Sequence, residues 1–296
     1  MIEPSVRLRS RQVIRLLIEA AAWPYRRAGR FAWHFARGKL EADPVFIALF
    51  ERNLLPERGR LLDLGCGQGL LPSLLLAARS LHEAGIWPPD WAPPPRLDGV
   101  RGIELMPADV ARARQAMAER AEIVEGDIRF ADFGIADAVV VLDVLHYLAY
   151  PDQETVLRRI RNALTPRGVL LLRVGDAEAG LPFLASLWVD RVATFLRGHR
   201  LPALYCRPLR AWRSLLEDLG FSVEALPMSA GTPFANVLLA ARLGYRVSGG
   251  GRPKTKSPVS CTIRASIARF LLLSSQPGIV PALKVNPAFK RKICHP

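Results

Sequence analysis

The chain has 296 residues, half of them apolar and 8% aromatic, which is enough to bury a core of substantial size. Its formal charge of +14 at pH 7 sits at the ends: residues 1–40 carry +7, residues 41–243 carry −3 and residues 244–296 carry +10. Four cysteines without framework or metal-ligand spacing exclude a disulfide-stapled fold and predict no metal site, so a reducing, cytoplasmic setting is expected.

Residues 1–43 come first. Arg7, Arg11 and Arg15 recur four apart beside Val6, Val13, Ile14 and Leu17, which predicts an amphipathic helix. Further arginines then interleave with Trp23, Tyr25, Phe31, Trp33 and Phe35. No apolar run approaches the roughly 20 residues needed to span a bilayer, and the stretch has no signal-peptide form. It is expected to be a helical arm that covers a ligand mouth as a lid. Peripheral contact with a membrane or with an acidic protein is the alternative.

The run LLDLGCGQG at 61–69 follows. Leu61, Leu62 and Leu64 predict a short strand buried on both faces, and Gly65, Gly67 and Gly69 predict a tight turn before a helix beginning LLPSLLLAARSL. Such a turn lets a ligand approach where a Cβ would collide, and the helix start offers unpaired N–H groups. A dinucleotide fingerprint needs a third glycine at 70, where Leu70 stands, and no Lys follows to make a phosphate-binding P-loop. Residues 82–99, rich in Pro and carrying Trp87 and Trp91, read as an inserted surface loop packed at the sheet edge or over a ligand.

Beyond that loop, helix and strand patterns alternate. A second strand at 100–105 presents Glu104, and a third, in EIVEGDIR, ends in Asp127. Taken alone, Glu104 reads as a solvated strand-end acid and Asp127 as a turn former after Gly126. ADAVVVLDVL predicts a fourth strand that ends near Asp143 and His146, and PDQETVLRRIRNAL an amphipathic helix stopped by TPRG. A fifth strand is expected at 168–174, then a helix with Gly220 as its C′ residue, a strand in FSVEALP and a last strand in FANVLLAARL. The alternation predicts an α/β class, as a Rossmann-like doubly wound seven-stranded sheet.

Residues 44–243 resemble the class I S-adenosylmethionine-dependent methyltransferases. Asp63, Gly65, Gly67 and Gly69, with Cys66 and Gln68 as spacers, match that family's D-x-G-x-G-x-G turn, which wraps the methionine end of the cofactor. The resemblance implies that Glu104, with Leu105 beside it, holds the ribose hydroxyls and that Asp127 and the Ile128 backbone read the adenine. It also implies a mostly parallel sheet whose last strand enters antiparallel. DVLHYL matches the segment that passes the sulfonium, so Asp143 contacts the methionine amino group or the acceptor, and His146 is the candidate base. An isolated histidine also reads as a packed structural residue, and Asp143 as a strand-end cap.

The implied activity is methyl transfer to a small-molecule or carrier-bound acceptor at oxygen or carbon. No Asn-Pro-Pro-Tyr run follows the fourth strand, which argues against amino methylation, and no nucleic-acid motif accompanies the basic ends. The alternatives are a catalytically silent S-adenosylmethionine-binding protein, and a membrane- or RNA-surface module. HFARGKLEADPVF further resembles methyltransferases of bacterial aryl polyene and related pigment pathways, which implies an aromatic acyl acceptor on an acidic carrier. Residues 244–296 hold five of the six lysines and no acid, and read as a poorly ordered, dispensable tail.

Overall fold

The computed structural model describes residues 4–176, 204–229 and 236–243, with side chains from residue 10 onward, and all of these belong to one compact unit. The 244–296 tail lies outside the described residues.

The arm opens with helix α1 (Pro4–Ala22), a 3-10 turn (Trp23–Arg26), α2 (Arg30–Ala42) and α3 (Val45–Glu51). Then come β1 (Arg58–Leu64), α4 (Leu70–Glu83), β2 (Arg96–Glu104), α5 (Pro107–Met117), β3 (Glu122–Glu125) and β4 (Ala136–Leu142). The chain closes with α6 (Tyr150–Ala163), β5 (Leu164–Gly175), α7 (Leu209–Asp218), β6 (Phe221–Pro227) and β7 (Asn236–Leu243).

The seven strands form one sheet in the order β3-β2-β1-β4-β5-β7-β6. β1 to β5 run parallel to one another, and β7 runs antiparallel to both β5 and β6. The expected Rossmann-like architecture is therefore present. Alternate residues of the central strands enter two cores. Leu61, Val140 and Leu171 pack beneath α1, α4 and α5, while Leu62, Val141 and Leu172 pack with Val156, Leu157 and Ile160 of α6 and Trp212 of α7. Continuous apolar strands arise because both faces are covered. Gly220, at φ 86°, follows α7 as its sequence position predicts.

Two boundaries differ from expectation. The loop expected over 82–99 is shorter at both ends, because α4 runs to Glu83 and β2 begins at Arg96, pairing with Arg58. Trp87 and Trp91 pack on Phe50 of α3, with ring centroids 5.4 and 6.4 Å away, and Trp87 Nε1 donates to the Ala92 carbonyl. The loop joins the end of α4 to the start of β2, so it lies at the amino ends of the strands. It neither covers the glycine turn nor packs at the sheet edge, where β3 and β6 stand.

The fifth strand begins at Leu164 rather than Gly168. The TPRG segment forms an irregularity inside the ladder, where pairing jumps from Ala136 with Leu164 to Ala138 with Val169. Thr165 donates to Asp137 there, and a proline is tolerated because an irregular position needs no ladder N–H.

Candidate functional site at the carboxyl ends of the strands

Glycine at 65 and 67 is required for different reasons. Both residues have positive φ, 70° and 54°; a Cβ on Gly65 would lie 2.3 Å from Val144 Cγ2, whereas a Cβ on Gly67 would point into open space. Gly65 lets the turn close on the β4 end, and Gly67 leaves room above it. The Gly65 and Cys66 amides both donate to the Ile103 carbonyl, tying the turn to β2.

Glu104 ends β2 and is 9% exposed. Its Oε2 accepts from Gly67 N at 2.8 Å and its Oε1 from Met106 N at 2.9 Å. One carboxylate thus joins the turn to the next helix and keeps free lone pairs on both oxygens. Asp63, 4% exposed, accepts no hydrogen bond from the described residues; burial, with Glu104 nearby, pushes its carboxyl up to about 8. Two acids with no cation beside Asp63 make this corner a receptor for positive charge. Cys66 is buried, with its thiol pushed up by burial and by both acids, and its sulfur would stand 2.6 Å from a Cβ at position 102. It acts as a spacer whose bulk requires Gly102.

Leu105 is 57% exposed beside Glu104, while Ile128 is buried. Asp127 lies two residues past the end of β3 rather than on it. Side-chain hydrogen bonds from Arg129, Nη2 at 2.6 Å among them, hold its carboxyl below the usual range against partial burial.

The arm meets this site at two points. α1 lies along α4, where Ser73 Oγ donates to the Ala21 carbonyl at 2.7 Å. In the following turn, the fully buried Tyr25 donates through its hydroxyl to the Gln68 carbonyl of the glycine turn at 2.8 Å. Farther on, Asp43, two residues before α3, accepts from Val45 N and binds Lys39 and Arg173.

Arg173 was not a candidate in the sequence. It is 2% exposed, lies in β5 opposite Leu142, and engages both oxygens of Asp143 through Nε and Nη2 while Nη1 reaches Asp43. Asp143 adopts φ 58°, an unfavourable left-handed conformation for a residue with a Cβ, and the fork of Arg173 holds it there. A lone arginine in the apolar run GVLLLRVG is the signal that could have exposed it, since a buried charge requires a partner.

His146 follows in a 3-10 turn, Leu145–Tyr147. Burial lowers its pKa below the ordinary value, Asp143 acts in the opposite sense, and Arg173 lowers it further. The turn is fixed from behind. Gln153, fully buried, donates to the Leu145, Leu148 and Tyr205 carbonyls; Arg207 donates to its Oε1 at 2.8 Å; and Tyr205 N donates to the His146 carbonyl. The structure thus gathers Asp63, the glycine turn and Glu104 at one corner, with Asp143 and His146 past the next strand. No cluster of three metal-ligating side chains exists among the described residues, nor does any described helix have the length and apolarity to cross a membrane.

A glycine turn after β1, an acid at the end of β2 and a sheet in this strand order define a Rossmann-like methyltransferase class. A Methyltransferase domain model matches residues 32–226, and the chain belongs to that family. It is 38% identical over 115 residues to the carboxy-S-adenosyl-L-methionine synthase of Chromohalobacter salexigens, spanning 37% of this chain and 37% of that protein. It is also 27% identical over 214 residues to the ubiquinone biosynthesis O-methyltransferase of Xanthomonas axonopodis pv. citri, spanning 69% of this chain and 78% of that one. Among solved structures, an O-methyltransferase family protein from Burkholderia thailandensis shares the fold, with a TM-score of 0.52, 19% identity and coverage of 73% of this chain and 61% of the other. The chain spans under half the length of the carboxy-S-adenosyl-L-methionine synthase it matches.

Proposed function

We propose that the chain is an S-adenosylmethionine-dependent methyltransferase that transfers a methyl group to a hydroxyl oxygen of a small-molecule or carrier-bound acceptor. The observation that carries this reading is the corner formed by Asp63, Gly65–Gly69 and Glu104, where two buried acids flank a turn that is open above Gly67. When bound, the cofactor supplies an activated methyl group on a sulfonium.

The chain's own residues have separate tasks. Gly65, Cys66, Gly67 and Gly69 shape the cradle, Asp63 supplies negative charge for a cationic ligand, and Glu104 offers free lone pairs to ribose hydroxyls. Asp127, the Ile128 backbone and the exposed Leu105 form the adenine end, with Arg129 yielding one side of Asp127. Asp143 is a positioning residue, because a carboxylate held by both oxygens on a guanidinium is a poor proton acceptor. His146, kept neutral by burial, takes the acceptor's proton. The arm, residues 1–43, braces the cofactor turn through Tyr25 and walls the acceptor side through Asp43. Oxygen as the methylated atom is supported by the 69% of the chain aligned with an O-methyltransferase.

The test is transfer of labelled methyl from S-adenosylmethionine to a panel of aromatic and acyl-carrier acceptors bearing free hydroxyls. A labelled methyl ether is the expected product. Binding of S-adenosylmethionine without transfer to any acceptor would favour a cofactor-binding protein instead.

A further inference from the structure

We propose that the outward face of the amino-terminal arm is a docking surface for an anionic lipid bilayer. Nine large apolar side chains of the described residues are exposed, and three belong to this arm: Leu16 at 49%, Trp23 at 60% and Phe31 at 57%. Leu16 lies on α1, and Trp23, seven residues on, opens the 3-10 turn that follows it. Phe31 opens α2, just past the 3-10 turn.

Arginine surrounds them. Arg11, Arg15, Arg26, Arg27 and Arg30 are all exposed, whereas the one acid between residues 10 and 31, Glu19, is paired with Arg37 at 2.8 Å. The guanidinium of Arg26 lies 4.0 Å from the Trp23 ring centroid and 4.5 Å from that of Trp33, so positive charge and indole form one unit. Arg112 of α5, ion-paired with Asp109 at 2.9 Å, lies 5.4 Å from the Phe31 ring.

The mode of docking follows from what is already buried. The apolar stripe of α1, with Leu17, Ile18 and Ala21, packs into the core, so the helix cannot lie on its apolar side in the acyl region as a free amphipathic helix does. Contact must be shallow, with the tryptophan and phenylalanine in the headgroup layer and arginines on lipid phosphates. Exposed indoles favour that layer, where an apolar ring body meets a wet edge. An acidic protein would satisfy the arginines but would not require three exposed apolar side chains among them. Because Trp23 and Tyr25 share one short turn, and Tyr25 is bonded to Gln68, docking would bring the carboxyl ends of the strands close to the bilayer.

The experiment is flotation of the full-length protein with vesicles of phosphatidylglycerol and phosphatidylcholine in equal parts, and with phosphatidylcholine alone. Binding to the anionic vesicles that falls steeply with added salt is expected. Trp23→Ser with Phe31→Ser should weaken partitioning about tenfold, and Arg15→Gln with Arg27→Gln about fivefold per arginine. These residues are exposed, so the thermal midpoint of each variant should match the parent. Phosphatidylcholine brominated in its chains, mixed with phosphatidylglycerol, should quench a fluorescence component that Trp23→Phe removes. No binding to anionic vesicles at low salt would overturn the proposal. Binding that neither pair of substitutions weakens would do so too, because it would then arise elsewhere in the chain.

Discussion

The donor end and the acceptor end of the site are built in opposite ways. At the proposed donor end, Asp63, the glycine turn and Glu104 come from two adjacent strands and Asp63 has no cation beside it: burial, with Glu104 nearby, pushes its carboxyl up to about 8, so it holds a proton near neutral pH until a cation displaces it. At the proposed acceptor end, Asp43 with Lys39, Asp143 and Arg173 come from three distant parts of the chain, and the two acids are matched by two cations. Burial alone would raise the Asp43 carboxyl, but Lys39 and Arg173 hold it well below the carboxylate range. The first end waits for a cation and the second carries its own. A binding corner can therefore be simple and local, whereas a wall that positions a reacting group is braced from several sides.

Substitutions should separate the two ends. Arg173→Met leaves the half-buried Asp143 without its cation and Asp43 with Lys39 alone, and should cost about 3 kcal/mol of stability in denaturant unfolding. A loss below 1 kcal/mol would mean that the triad does not brace the wall. His146→Gln should lower kcat about a hundredfold or more with any acceptor found by label transfer, leaving S-adenosylmethionine affinity unchanged. Because burial lowers the His146 pKa, the parent rate should rise with pH through a region below 6.5 and then level off. The variant should lose that limb; a parent rate that is flat there would remove the base assignment.

The two acids predict opposite pH responses. Asp63 has a folded pKa raised from 3.8 to about 8, so the folded state holds its proton longer, and the free protein should lose stability from this group as pH rises from about 4 to 8. Asp43 is depressed, so its contribution is present above the unfolded value and lost only in acid. Unfolding measured across pH should show the first slope in the parent and its absence in Asp63→Asn. The smallest effect should come from Tyr25→Phe, which removes one bond to the glycine turn. We expect about 1 kcal/mol, shared between stability and cofactor affinity.

The same contrast explains what was legible in the sequence. The glycine turn and Glu104 could be read because each lies at the end of an apolar run whose period announces a strand. Asp127 was legible as an acid, although the strand before it stops at Glu125 and its carboxylate is bound by Arg129. Asp43 and Arg173 could not be joined from sequence, since 130 residues separate them and no motif couples the two. Nor could Tyr25 and Gln68, because the contact depends on how α1 lies along α4. The start of β2 was hidden by the prolines before it, and that of β5 by TPRG, which breaks a helix but only distorts a strand.

If the proposed function is right, the Asp63–Glu104 corner binds a cationic, ribose-bearing donor. Calorimetric titration of S-adenosylmethionine into the parent and Glu104→Ala, near pH 7 in buffers of differing ionisation enthalpy, tests it most directly. We expect binding with proton release from Asp63, and an affinity weakened about a hundredfold in Glu104→Ala, the order of two hydrogen bonds to a charged group. Equal affinity in both proteins, without proton release, would contradict it.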